Sequence, residues 1–120
     1  MPSKNPAQRL RDIVDNIDAI EAFTSELDQA AFTQDRKTVY AVVRALEIIS
    51  EASRRLPAEI SNRHPEIDWV AIAAAGNVYR HEYEAEDETL IWHTVRHGLG
   101  VLRSVALAEL AACPEWLNRT

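Results

Sequence analysis

The stretch Gly76-Asn77-Val78-Tyr79-Arg80-His81-Glu82-Tyr83 is the densest cluster of chemically capable side chains in this 120-residue chain. On a helix, Asn77, Arg80 and His81 stand at i, i+3 and i+4, so their side chains are neighbours. An imidazole takes or gives a proton near neutral pH. A guanidinium beside it can hold a phosphate or stabilise added charge on it. That pair suits RNA cleavage without a metal. A base removes the 2′-OH proton, the oxygen attacks the adjacent phosphorus, and a cation stabilises the crowded phosphorane. Acid–base help of this kind is worth roughly 10²–10⁴ in rate. A plainer reading stands beside it. Helix C-termini favour cationic side chains through the helix dipole, so Arg80 and His81 could be end-of-helix charges and nothing more.

Other reactive types are sparser. His93 and His97 form an i, i+4 pair with Arg96 between them. Such a pair can take a metal, but a closed site needs a third and usually a fourth ligand, and no HExxH pattern is present. The expectation is therefore no metal, with a solvated basic face continued by Arg103. Glu47 and Glu51 interrupt an apolar stretch at i, i+4. They read either as a solvent-facing stripe or as supporting carboxylates, one of which turns inward to orient Arg80 or His81. Trp69 and Trp92 read as core or interface anchors. There is no Gly-rich phosphate loop and no nucleophile elbow, and Cys113 has no basic residue close in sequence.

Helices must position these groups. Leu10, Ile13, Val14, Ile17, Ile20, Phe23 and Leu27 recur at three- and four-residue steps and predict a first helix of about 20 residues. Thr33 is the expected N-cap of a second helix carrying Val39, Val42, Val43, Leu46, Ile49 and Leu56, which Pro57 closes. A short helical turn from Pro57 to Asn62 fits the next stretch. Asp68 favours the start of a third helix running from Trp69 to about Tyr83. Asp87 is the expected cap of a fourth, with Ile91, Val95, Leu99, Leu102, Ala106 and Leu110 inward and Pro114 at its end. Gly98 and Gly100 weaken that last helix by about 1 kcal/mol each unless close packing requires them. No strand or hairpin signal appears. The pattern predicts an all-α bundle of four to five antiparallel helices joined by short loops.

Composition bounds the rest. One hundred and twenty residues, 47% of them apolar, make one globular domain over residues 1–120, with its core at about 8–112. The longest apolar runs are far shorter than the roughly 20 residues of a membrane span. The Met1-Pro2-Ser3-Lys4-Asn5 start has no apolar segment, which argues against a secretory signal. A single Cys forms no internal disulfide and excludes Cys-rich zinc modules. A cytoplasmic protein without a membrane partner is expected. The net charge of -6 argues against coating nucleic acid by bulk electrostatics, and no DNA partner is expected. A local phosphate site remains compatible with it.

Five stretches now fall into a recognisable order: Arg44-Ala45-Leu46-Glu47-Ile48-Ile49-Ser50-Glu51-Ala52, Leu56-Pro57, His64-Pro65-Glu66-Ile67-Asp68-Trp69, Asn77 through Tyr83, and Asp87 through Trp92. In that order and spacing the chain resembles the HEPN-domain toxins of the HepT type, over roughly residues 8 to 112. The resemblance implies a symmetric homodimer of helical bundles whose two copies of an Arg-x(4–6)-His motif face each other across a cleft. It also implies metal-free RNA cleavage with no cofactor, and a minimal nucleotidyltransferase antitoxin as partner. That partner silences the toxin by adenylylating a Tyr two residues after the motif His. Carried onto this chain, the motif His is His81 and the modifiable residue is Tyr83. The motif Arg falls on position 76, which is Gly76 here, while the following Asn77 is kept. Arg80 is the first candidate for the missing cation, although its Cα lies about 100° round the helix from that of His81. Arg54 and Arg55 are others. The implied site is thus His81, Arg80 and Asn77, with Tyr83 for modification.

Three readings follow. The first is a metal-independent ribonuclease acting as a toxin. The second is a non-catalytic module that docks a nucleotidyltransferase and offers it Tyr83. The third is a plain helical oligomerisation protein.

Overall fold

A computed structural model describes residues 5–74 and 85–112. Helices α1 (Pro6–Thr24), α2 (Gln29–Gln34), α3 (Arg36–Arg54) and α4 (Ala58–Asn62) come first. Helical backbone over residues 69–74 forms α5, and α6 (Ala85–His97) and α7 (Gly100–Ala112) follow. No strand occurs among the described residues, so the architecture is the all-α bundle that the periodicity predicts. No helix among them is long and apolar enough to cross a membrane.

The long helices begin and end where the chemistry of their flanks says they should. Asn5 caps α1, its Oδ1 accepting from the Ala7 N–H at 2.9 Å, and Pro6 occupies the first helical position, where a missing N–H costs nothing. Helix α1 then buries Leu10, Ile13, Val14, Ile17 and Ile20 between α3 and α7. Full burial of each such side chain is worth roughly 1.5–3 kcal/mol before the ordering cost. Phe23 does not continue that stripe and is 46% exposed. The stripe passes through position 24 instead, four residues after Ile20. Thr24 is buried there because its hydroxyl donates to the Ile20 carbonyl at 2.8 Å.

Two expected caps are corrected. Residues 29–34, expected to lead into the second helix from Thr33, form a helix of their own, capped by Asp28, whose carboxylate accepts from the Ala31 N–H at 2.8 Å. Thr33 lies inside it and donates to the Gln29 carbonyl at 2.9 Å, so its hydroxyl is spent. Asp35 caps α3 by accepting from both the Thr38 hydroxyl (2.7 Å) and the Thr38 N–H (3.2 Å). Those two bonds hold its carboxyl below the ordinary carboxylate range. Asp87 does not cap α6 from outside, because the described backbone is already helical at Ala85 and Glu86.

The long fourth helix is also two helices. The Gly98 N–H still bonds to the Thr94 carbonyl at 2.9 Å, and the ladder resumes with Arg103 N–H to Leu99 carbonyl at 2.9 Å. Between them the backbone bends at Gly98-Leu99-Gly100, as Gly-containing helices do. A Cβ on Gly98 would stand 3.2 Å from the Thr94 carbonyl oxygen, so glycine allows the close approach there. The bend lets Leu99, Leu102 and Val105 all turn into the core.

Candidate functional site

Gly76, Asn77, Arg80, His81 and Tyr83 lie outside the described residues. What the structure gives is the frame on either side of them. Helix α5 leads into the cluster, and α6 leads out of it. The start of α5 is set by Asp68, as expected, its Oδ1 accepting from the Ala71 N–H at 3.1 Å. Its last described turn is tied to the C-terminal part of α3, where the buried Ser50 hydroxyl donates to the Ala73 carbonyl at 3.0 Å. Side chains of α3, α5, α6 and α7 line an apolar pocket of about 390 Å³, with Leu46, Ile49, Ile72 and Leu102 on its walls.

Glu47 and Glu51 are half-buried in a polar groove of about 340 Å³ between α1 and α3, together with Arg9, Asp12, Arg44 and Arg54. Glu51 is gripped by Arg54 and, at 3.0 Å, by Arg55. Burial pushes its carboxyl up, and the two guanidinium groups more than offset that and hold it below the ordinary range. Glu47 faces Arg44 at 3.9 Å. Arg54 and Arg55, both candidates for a phosphate-binding cation, are therefore held on a carboxylate of their own helix. Orientation of Arg80 or His81 by either Glu lies outside the described residues.

The expected exposed basic face on α6 and α7 is present, and its arginines also bond to the rest of the bundle. Arg96 reaches across to α1 and donates to the carbonyls of Thr24 (3.1 Å) and Leu27 (2.8 Å), which closes the C-terminus of that helix. Its guanidinium lies 4.4 Å from the centre of the Trp92 ring, and Trp92 in turn packs on Phe32 at 5.1 Å. Trp92 is thus the expected core anchor, as is Trp69, which packs against the core. Arg103 pairs with Asp18 on α1 at 2.7 Å. His93 and His97 stay exposed, with their ring centres 4.7 Å apart. Among the described residues no group of three or more His, Cys, Asp and Glu side chains could hold a metal ion.

One cluster escaped the sequence reading. Glu109 of α7 is only 5% exposed and receives two bonds from Arg63, Nη2 at 2.6 Å and Nε at 3.1 Å. His64 Nε2 stands 2.6 Å from the same carboxylate, and the His64 carbonyl accepts from the Trp69 indole N–H at 3.0 Å. The loop before α5 is thereby fastened to α7. The signal was present: Glu109 stands seven residues after Leu102 and four after Val105, on the inward stripe. Hydrogen bonds from Arg63, opposed by burial and reinforced by His64, hold the Glu109 carboxyl below its ordinary value. Its contribution to stability is complete above the ordinary glutamate pKa of about 4.3 and is lost as pH falls through its own lower value. Glu109→Ala should cost about 1–3 kcal/mol in chemical denaturation at neutral pH. Glu109→Gln should flatten the acid-side loss.

Comparison with known proteins decides what this frame belongs to. Residues 13–108 match the family model described as ribonuclease HepT-like. The chain belongs to that family. The HepT-like match runs from the middle of α1 to the residue before Glu109 and includes the whole Asn77–Tyr83 cluster. Among the relatives, the protein named "Probable ribonuclease HepT" of Thermococcus cleftensis is 40% identical over 94 residues, covering 78% of this chain and 86% of the relative. The protein named "Putative RNase MJ0127" of Methanocaldococcus jannaschii is 35% identical over 95 residues, covering 79% and 78%. No solved structure matches this chain significantly.

Proposed function

We propose that the chain is a metal-independent endoribonuclease that acts as the toxin of a HEPN/minimal-nucleotidyltransferase pair, residues 1–120 forming one HEPN-like domain. The observation that carries this reading is the HepT-like match over residues 13–108, together with ribonuclease in the names of the relatives. His81 is the acid–base group. It takes the 2′-OH proton, the 2′-oxygen attacks the adjacent phosphorus, the bond to the 5′-oxygen breaks, and the protonated imidazole returns a proton to that oxygen. The products are a 2′,3′-cyclic phosphate and a 5′-hydroxyl. Arg80 supplies the cation on the phosphorane, and Asn77 hydrogen-bonds a phosphate oxygen. Glu47 and Glu51 have the supporting part.

A homodimer has a physical rationale. One local cation is a poor phosphate site on a chain of net charge -6. Two-fold symmetry brings two copies of Arg80 and His81 to one cleft and concentrates positive charge there. Tyr83 is the residue that the nucleotidyltransferase adenylylates.

Gly76, at the position of the usual motif Arg, favours one second reading, in which the same helical module docks the nucleotidyltransferase and no longer cleaves RNA. Expression in a host without the partner separates the two. The toxin reading expects growth arrest that His81→Ala relieves. The docking reading expects no arrest, with a mass increase of one or more AMP units on Tyr83 after co-expression. Arrest that persists in His81→Ala contradicts the assignment of His81.

A further inference from the structure

We propose that His93 and His97 form an open binding site for one borderline divalent transition-metal ion, Cu²⁺, Ni²⁺ or Zn²⁺. Both residues are exposed on α6 at i, i+4, the helical spacing at which two imidazoles can share a metal. Their ring centres are 4.7 Å apart and the rings are tilted by 43°, so they are already side by side without being stacked face to face. Nitrogens bound to such an ion at about 2.0–2.1 Å each stand roughly 3–3.4 Å apart. Both rings are exposed, so rotation about their side-chain bonds can bring one nitrogen of each to that separation. Imidazole nitrogen suits these three ions, with Cu²⁺ the tightest.

The nearby arginines are engaged elsewhere. Arg96 lies between the two histidines in sequence, and Arg103 follows on the next helix. Both are drawn onto α1, Arg96 to the carbonyls of Thr24 and Leu27 and Arg103 to Asp18. Arg103 is neutralised by Asp18, and Arg96 is anchored on carbonyls toward α1, although it keeps its charge. A net charge of -6 also favours a cation over the surface as a whole. Among the described residues the pair has no third ligand, so water fills the remaining positions and the site is open, unlike a closed structural zinc site. His97 immediately precedes the bend at Gly98, and an ion bridging positions 93 and 97 would pin the last turn of α6 against that bend.

The experiment is titration of untagged, EDTA-treated and dialysed full-length protein with Cu²⁺ by calorimetry, beside His93→Ala, His97→Ala and His81→Ala. Both α6 histidines are exposed, so their removal should leave the helical circular dichroism signal unchanged. The expected result is one ion per chain. Each α6 variant should bind about tenfold more weakly or worse, because the second imidazole no longer acts at high effective concentration. His81→Ala should bind as the native chain does. A melting temperature that Cu²⁺ raises in the native chain and not in the double variant supports the same site. Equal affinity in the native chain and in His93→Ala/His97→Ala overturns it, as does a loss seen only in His81→Ala. None of these readouts involves RNA, so failure here is separate from failure of the ribonuclease reading.

Discussion

His81→Ala is expected to lower the rate of RNA cleavage by roughly 10²–10⁴, the usual worth of a positioned acid–base group. The loss should appear in kcat as well as in kcat/KM, because a proton in flight is an interaction of the transition state and not of the bound substrate. Arg80→Ala should cost about 10²–10³ for a different reason: it removes charge stabilisation from the phosphorane. Arg80→Lys should restore part of that loss only, since an ammonium is a point charge without the planar fork that grips two phosphate oxygens. Cleavage of a labelled single-stranded RNA under single-turnover conditions measures all three. Gly76 makes Arg80 the interesting member of the set. With no arginine at position 76, the proposed mechanism rests on the charge of Arg80, from one copy or two.

Phe32→Ala should destabilise the protein by about 3–5 kcal/mol, the range for emptying a buried aromatic site. Phe32 is fully buried although its helix has only 6 residues, and it packs on Trp92. Helix α2 touches both α3 and α6, so Phe32 is where a short connection joins the early helices to the late ones. A 6-residue helix has almost no stability of its own. It persists because Phe32 is buried and because Asp28 and Asp35 terminate it cleanly. Loss of that one ring should therefore be felt by the whole bundle. Chemical denaturation followed by circular dichroism measures it. Native proteins have only about 5–15 kcal/mol in all, so the variant should be near the edge of folding at physiological temperature.

The long amphipathic helices were legible in the sequence because their periodicity is strong. The stripe Leu10 to Ile20 is buried as predicted, and so is the stripe Val39 to Ile49 except for Val43, which is partly buried. Where neighbouring caps compete, sequence reading failed. Thr33 and Asp35 are both good N-cap types two residues apart, and only the structure shows that Thr33 is already bonded within α2 while Asp35 grips Thr38 twice. The bend at Gly98-Leu99-Gly100 was signalled by its glycines, but a helical period continues across it, so one helix was the natural reading. Charged residues were the hardest. Arg96, Arg103 and Glu109 all pair across the fold with partners 45 or more positions away in sequence. No local pattern announces such partners. Of the candidate site, the sequence supplies the residues and the resemblance supplies their roles. The described structure supplies the frame, through Ser50 on Ala73 and the Arg63–Glu109–His64 cluster ahead of α5.

Metal-free cleavage by His81 is tested by incubating single-stranded RNA with the purified native chain in excess EDTA, beside His81→Ala prepared identically. The native chain should cleave as fast in EDTA as in Mg²⁺, leaving 2′,3′-cyclic phosphate ends, and His81→Ala should not cleave. Cleavage that EDTA abolishes, or that survives unchanged in His81→Ala, would contradict metal-free cleavage by His81.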